Sequence, residues 1–146
     1  MQGIETILKE QKIFIGKTAG DSMEPMLRAG RDTVVIVPPT FPLKRGDVPV
    51  YRYLGHYTMH RILCKTRHGY IICGDNRVMP ERGVHDEDII GVLTGFYHDG
   101  VYVSCEDAAY RRYTKRVLFR YPFRLFGFVF RKGLEKLKII KKGRNL

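Results

Sequence analysis

Residues 48–73 read VPVYRYLGHYTMHRILCKTRHGYIIC, and the reading of this stretch decides the fold. It holds three runs rich in Val, Ile, Tyr and Thr: Val48 to Tyr53, Thr58 to Thr66 and Tyr70 to Cys73. They are separated by Leu54-Gly55-His56 and Arg67-His68-Gly69. Short β-branched and aromatic runs cut by turn residues predict antiparallel strands joined by hairpins. The pattern repeats outward on both sides. Upstream, Ile13 to Lys17 and Thr33 to Val37 read as strands, the second stopped by Pro38 and Pro39. Downstream, Ile89 to Phe96 and Val101 to Val103 flank His98-Asp99-Gly100. Ile4, Ile7 and Leu8 share one helical face, which predicts a short helix over Ile4 to Gln11. No long helical pattern alternates with the strands, which argues against a doubly wound parallel sheet. The expected fold is mostly β, a small barrel or coiled antiparallel sheet behind a short N-terminal helix.

The length of 146 residues, with 44% hydrophobic and 28% charged, suits one globular domain plus an appendage at most. The net charge of +11 is unevenly placed. Residues 1–109 hold 13 basic and 14 acidic residues, whereas 110–146 hold 13 basic residues and a single acid, Glu135. The chain therefore divides into a β domain over 1–109 and a basic tail over 110–146. The tail reads as one or two amphipathic helices, kinked or broken near Pro122. Arg120, Arg124 and Arg131 interrupt its apolar runs, so it lacks the roughly 20 apolar residues needed to cross a bilayer. A helix lying on an anionic membrane surface fits it. In a second reading its apolar face packs on the open side of the sheet and the basic residues are merely solvated. In a third, the alternating Arg and aromatic residues bind single-stranded nucleic acid. The density of Phe, Leu and Val from Val117 to Phe130 disfavours that, and no nucleic-acid partner is expected.

Cys64, Cys73 and Cys105 form no CxxC spacing, and an odd count argues against a closed disulfide framework. A reducing compartment follows. The segment MQGIETILKEQ has no apolar run, so neither a secretory signal nor an N-terminal anchor is expected. The expected location is the cytoplasm, peripheral on the inner face of the membrane.

Candidate chemistry centres on three residues. Ser22 lies in Gly20-Asp21-Ser22-Met23-Glu24-Pro25, a turn that could present its hydroxyl and its own N–H, with Gly20 supplying the turn conformation. Asp21 puts a negative charge beside it. His60 lies within the predicted strand Thr58 to Thr66, where alternation sets His60, Ile62 and Cys64 on one face and Lys65 on the other. Asp75 follows a strand in Gly74-Asp75-Asn76. Taken singly, each is more often structural: a turn serine, a satisfied core histidine, an aspartate bonding its own backbone. His56, His68, His85 and His98 fall in predicted turns without metal-ligand spacing, so neither metal nor cofactor is expected.

The combination is sharper. GDSMEPML at 20–27, RGDVPVYR at 45–52, HRI at 60–62 and GDN at 74–76, in this order, resemble the boxes of type I signal peptidases and of the self-cleaving repressor peptidases related to them. The resemblance spans roughly residues 14 to 95. It implies a signal peptidase I-like serine peptidase in which Ser22 is the nucleophile. The residue before the Arg of the third box is the base, and here that is His60, as in the endoplasmic-reticulum and archaeal type, rather than the Lys of the common bacterial type. It further implies that Asp75 holds the His60 tautomer. Asn76 and Glu81 are weaker candidates. Signal peptidases carry a hydroxyl residue two places before the nucleophile as an oxyanion donor; Gly20 stands there. Only 21 residues precede Ser22, so a repressor's DNA-binding module and cleavage arm are not expected. The expected function is a serine endopeptidase acting on a peptide or protein precursor by an Asp-assisted Ser/His dyad, held at the membrane periphery. The alternative is a catalytically inactive peptidase-fold binding module.

Overall fold

The computed structural model describes residues 3–144; the first two and last two residues of the expected units lie outside it. A helix α1 (Ile4–Gln11) leads into β1 (Phe14–Lys17), a loop carrying Ser22, and β2 (Thr33–Val37). Then come β3 (Pro49–Tyr53), β4 (His56–Met59), β5 (Arg61–Thr66), β6 (Gly69–Cys73), β7 (Glu81–Val84), a 3₁₀ turn at Asp86–Asp88, β8 (Ile89–His98), β9 (Val101–Ser104) and α2 (Ala108–Arg144). The strands form two antiparallel sheets. One has the order β1-β2-β8-β3-β4, with β9 also on β8, and the other has the order β5-β6-β7. The mostly β expectation with a helix at each end is met.

Two-residue turns at Leu54-Gly55 and Asp99-Gly100 close the β3–β4 and β8–β9 hairpins. The ten-residue β8 is the spine: β2 runs along one edge, while β3 and then β9 share the other. Strand β3 is buried on both faces, because alternation sends its side chains into two different cores. Val50 joins Leu8, Met23, Leu27, Val34, Leu93 and Phe96. Tyr51 points the other way, to Leu43, Ile62, Tyr70, Ile72 and Val84 under the second sheet.

Two expectations are corrected here. The run Thr58 to Thr66 is not one strand: β4 ends at Met59 and β5 begins at Arg61, in the other sheet. His60 is the single residue at the crossover, so strand alternation does not set its facing. A register irregularity between Ile62 and Cys64 also breaks the alternation that placed Lys65. The tail is one helix of 37 residues that runs through Pro122 without a break. Pro122 removes one helical N–H, but 36 other residues and docking against the body hold the helix around it. Its first turn places Tyr110 in the main core.

Candidate active site

The Ser22 loop is pinned by its apolar residues. Met23, Met26 and Leu27 are buried, while Ser22 between Asp21 and Met23 stays half-exposed. Backbone bonds from Glu24 N–H to the Asp21 carbonyl (3.1 Å) and from Leu27 N–H to the Met23 carbonyl (3.0 Å) wind the segment into tight turns. Gly20 has φ +79°, a left-handed conformation that L side chains rarely adopt, and a Cβ there would meet nothing. Its role is the turn itself.

The Gly74-Asp75-Asn76 segment grips this loop from the other side. Asn76 N–H donates to the Ser22 carbonyl at 2.8 Å, and its side-chain amide donates to the Asp21 carbonyl at 3.1 Å. Arg77 ion-pairs with Asp21 at 2.6 Å, and that hydrogen bond holds the Asp21 carboxyl below the usual range. The negative charge that Asp21 puts beside Ser22 thus has a partner. Gly74 is tied to the contact: a Cβ there would stand 2.6 Å from the Ser22 carbonyl oxygen and 3.1 Å from Ser22 Cβ. Arg61, the residue after His60, pairs with Cys73, the residue before Gly74. The histidine and the serine loop are thereby tied to the same strand end, the one through Arg61 and the other at Gly74.

His60 is 9% exposed. Its Nδ1 lies 3.3 Å from Glu81 Oε2 and 3.1 Å from the Tyr51 hydroxyl, and that hydroxyl donates to the same Glu81 carboxylate. Burial, and then the bond to Glu81, raise the Tyr51 pKa, so the phenol keeps its proton. A neutral imidazole that donates through Nδ1 carries its lone pair on Nε2. Among the described residues, Nε2 makes no hydrogen bond.

Asp75 is elsewhere engaged, which corrects the expectation that it orients His60. Its two oxygens take Arg61 Nε and Nη2 at 2.7 Å each, and Tyr113 donates to Oδ2 at 3.0 Å. Arg61 is wholly buried, and its remaining donors reach the Gly46 carbonyl, Tyr110, Thr114 and Met26 Sδ. Arg124 donates to the Asp75 and Arg77 carbonyls at 2.8 and 3.1 Å, and Tyr121 to the Val78 carbonyl at 2.9 Å. Helix α2 thus clamps the segment that holds Ser22.

Beside Ser22 opens a mainly apolar cavity of about 380 Å³, lined by Ile4, Phe14, Thr18, Leu27, Tyr57 and Met59 among others. Thr18 Oγ1 is the one buried side-chain polar atom among the described residues with no hydrogen-bond partner.

Residues 2–94 match the family model described as Peptidase S24-like. The chain belongs to that family. No curated protein matches it. The matched span reaches from α1 into β8 and takes in Ser22, His60, Asp75 and Glu81, while α2 lies outside it. In this S24-like chain, Tyr51 and the clamping residues Tyr113 and Arg124 went unseen by sequence reasoning. Tyr51 was half legible: β3 alternation puts Tyr51 and Tyr53 on one face, opposite Val50, but does not tell which of the two hydroxyls reaches His60. The α2 contacts had no sequence signal, since Tyr113 lies 38 residues from Asp75.

Among the described residues no three His, Cys, Asp or Glu side chains group as metal ligands. Two of the other histidines serve the scaffold. His98 Nδ1 lies 3.0 Å from the buried Asp32, and His85 caps the 3₁₀ turn.

Proposed function

We propose that the protein is a serine endopeptidase in which Ser22 is the nucleophile, His60 the general base and Glu81, together with Tyr51, the group that orients the imidazole. The observation that carries this is the carboxylate and phenol at His60 Nδ1, with Nε2 left unbonded, on the neighbour of Arg61, whose partner Asp75 lies in the segment that grips the Ser22 loop. A base fixed through one nitrogen by an acidic partner has the arrangement that nucleophilic catalysis requires.

In this reading Ser22 Oγ attacks the scissile carbonyl carbon as His60 Nε2 takes the hydroxyl proton. The Ser22 N–H, which makes no hydrogen bond among the described residues, donates to the oxygen that gains charge. The imidazolium returns the proton to the leaving amine as the C–N bond breaks, giving an acyl-enzyme. Water, deprotonated by the same nitrogen, releases the acid and restores Ser22. The apolar cavity beside Ser22 favours an extended peptide carrying an apolar side chain next to the cut.

One observation favours a binding module that does not cut: among the described residues, no hydrogen bond joins Ser22 Oγ to His60. Such bonds often tighten only when substrate is present. A serine-reactive phosphonate probe, read by intact mass on wild type, Ser22→Ala and His60→Ala from pH 6 to 9, separates the two readings. Adduct on the wild type alone, faster as an imidazole loses its proton, supports the peptidase; a folded wild type that never labels supports the module.

A further inference from the structure

Helix α2 has two apolar faces, and the body uses only one. At 3.6 residues per turn, Tyr110, Thr114, Val117, Tyr121, Arg124 and Phe128 fall on one side, and all are buried or half-buried. Phe119, Phe123, Phe126, Phe130 and Leu137 recur at spacings of three, four and seven, which gathers them within roughly 60° of one another on the opposite side. These five are 72%, 67%, 72%, 58% and 57% exposed. The rings pair along the stripe, Phe119 with Phe123 at 5.6 Å between centroids and Phe126 with Phe130 at 6.3 Å. Beyond the clamp the helix continues outward, and every residue from 131 to 144 is exposed.

A continuous stripe of this kind left in water marks a surface with a partner. Charge identifies the partner's chemistry. Residues 110–146 carry 13 basic side chains against Glu135 alone. Arg120 and Lys138 lie beyond one edge of the stripe and Arg111 and Lys115 beyond the other, while Arg112, Arg116, Lys141 and Arg144 fall within or beside it near its two ends. A second copy of this helix would bring like charges together along the whole seam, which opposes pairing. Spanning is also excluded, since none of the described helices is long and apolar enough to cross a membrane.

We propose that the outer face of α2 is a docking surface for anionic lipid bilayers, on which the helix lies flat with its phenylalanines in the acyl boundary and its Arg and Lys at the headgroups. The body, clamped to the opposite side through Tyr113, Tyr121 and Arg124, then stands away from the membrane with the Ser22 loop still gripped. This assignment does not depend on peptide cleavage.

The test is flotation of the full chain with vesicles of phosphatidylcholine alone or mixed with phosphatidylglycerol, at low and high salt. Wild type and Ser22→Ala should both float with the mixed vesicles, at least tenfold less with phosphatidylcholine, and less as salt rises. Because both side chains are exposed, Phe126→Glu with Phe130→Glu should abolish flotation while the thermal unfolding midpoint is unchanged. Unaltered flotation of that double variant overturns the proposal. So does a lipid-free dimer, seen by sedimentation, that the same substitutions disperse, and so does a salt-sensitive complex with single-stranded oligonucleotide in place of vesicle binding.

Discussion

His60 and Arg61 are neighbours in the chain, each faces a carboxylate, and the two pairs are built for different ends. Arg61 and Asp75 are buried with almost every donor and acceptor occupied, down to Gly46, Tyr110 and Thr114. His60 and Glu81 retain access, with side-chain exposures of 11% and 20%, and leave one ring nitrogen unbonded. A saturated buried ion pair fixes geometry, because any change of charge there leaves an uncompensated partner. A base with a free lone pair and some solvent access can take up a proton. The lesson is that the residue type Asp or Glu near a histidine box does not assign the role; the partner that reaches it first does.

The sharpest way to break the comparison is Asp75→Asn. The buried Arg61 guanidinium then loses its counter-charge, and stability should fall by about 3–5 kcal/mol in urea unfolding. A loss under 1 kcal/mol would remove the structural assignment of this pair. Glu81→Gln should do the reverse. Glu81 is only half-buried and the amide keeps its shape, so unfolding should shift by less than about 1 kcal/mol. Phosphonate labelling of Ser22 should slow by about 10²-fold, roughly 2.7 kcal/mol of activation free energy, because the negative charge is lost and the amide NH2 can donate to Nδ1 and set the wrong tautomer. If Asp75→Asn at a temperature where it remains folded slows labelling more than Glu81→Gln does, the roles are exchanged.

How far this contrast was legible in the sequence can be argued from particular residues. The strands and hairpins were plain, because β-branched runs broken by Leu54-Gly55 or Asp99-Gly100 allow few other structures. Ser22, His60 and the GDN segment were found through motif order. What failed was local alternation at His60: Thr58 to Thr66 reads as one continuous strand, yet the chain changes sheet there. With the crossover hidden, the facing of His60 could not be derived, and Asp75 stood nearer in sequence than Glu81. Strand β7, with the sequence ERGV, is polar and contains a glycine, so it gave no strand signal, although Glu81 begins it. The second apolar face of α2 was hidden because a linear reading mixes it with the face that packs on the body.

A smaller effect sharpens the Arg61 side. Tyr113→Phe removes one hydrogen bond to Asp75 without touching Arg61, and should lower stability by about 1.5 kcal/mol. Hydrogen exchange at the Asn76 amide, which donates to the Ser22 carbonyl, should quicken in step. Unchanged exchange there would mean that α2 does not hold the segment under Ser22.

The smallest effect uses Cys73, which lies directly before Gly74 and feels both carboxylates. Burial above all, then the negative charges of Glu81 and Asp75, push its thiol from the ordinary 9.0 up to about 11, against opposing pulls from Tyr121 and Arg124. Burial likewise pushes Cys105 to about 11. The folded state then holds these protons more tightly than the unfolded chain. The stability they contribute is fully present below pH 9 and declines as pH rises through 11. The thermal midpoint should therefore fall over that window, and Cys73→Ala should flatten the fall. In Glu81→Gln the thiol loses one of the charges that raise it, so iodoacetamide at pH 9 should alkylate Cys73 about twofold faster, with the exposed Cys64 unchanged as internal standard. A Cys73 rate that responds to Asp75→Asn but not to Glu81→Gln would place Glu81 farther from Gly74 than its contacts with His60 and Tyr51 require.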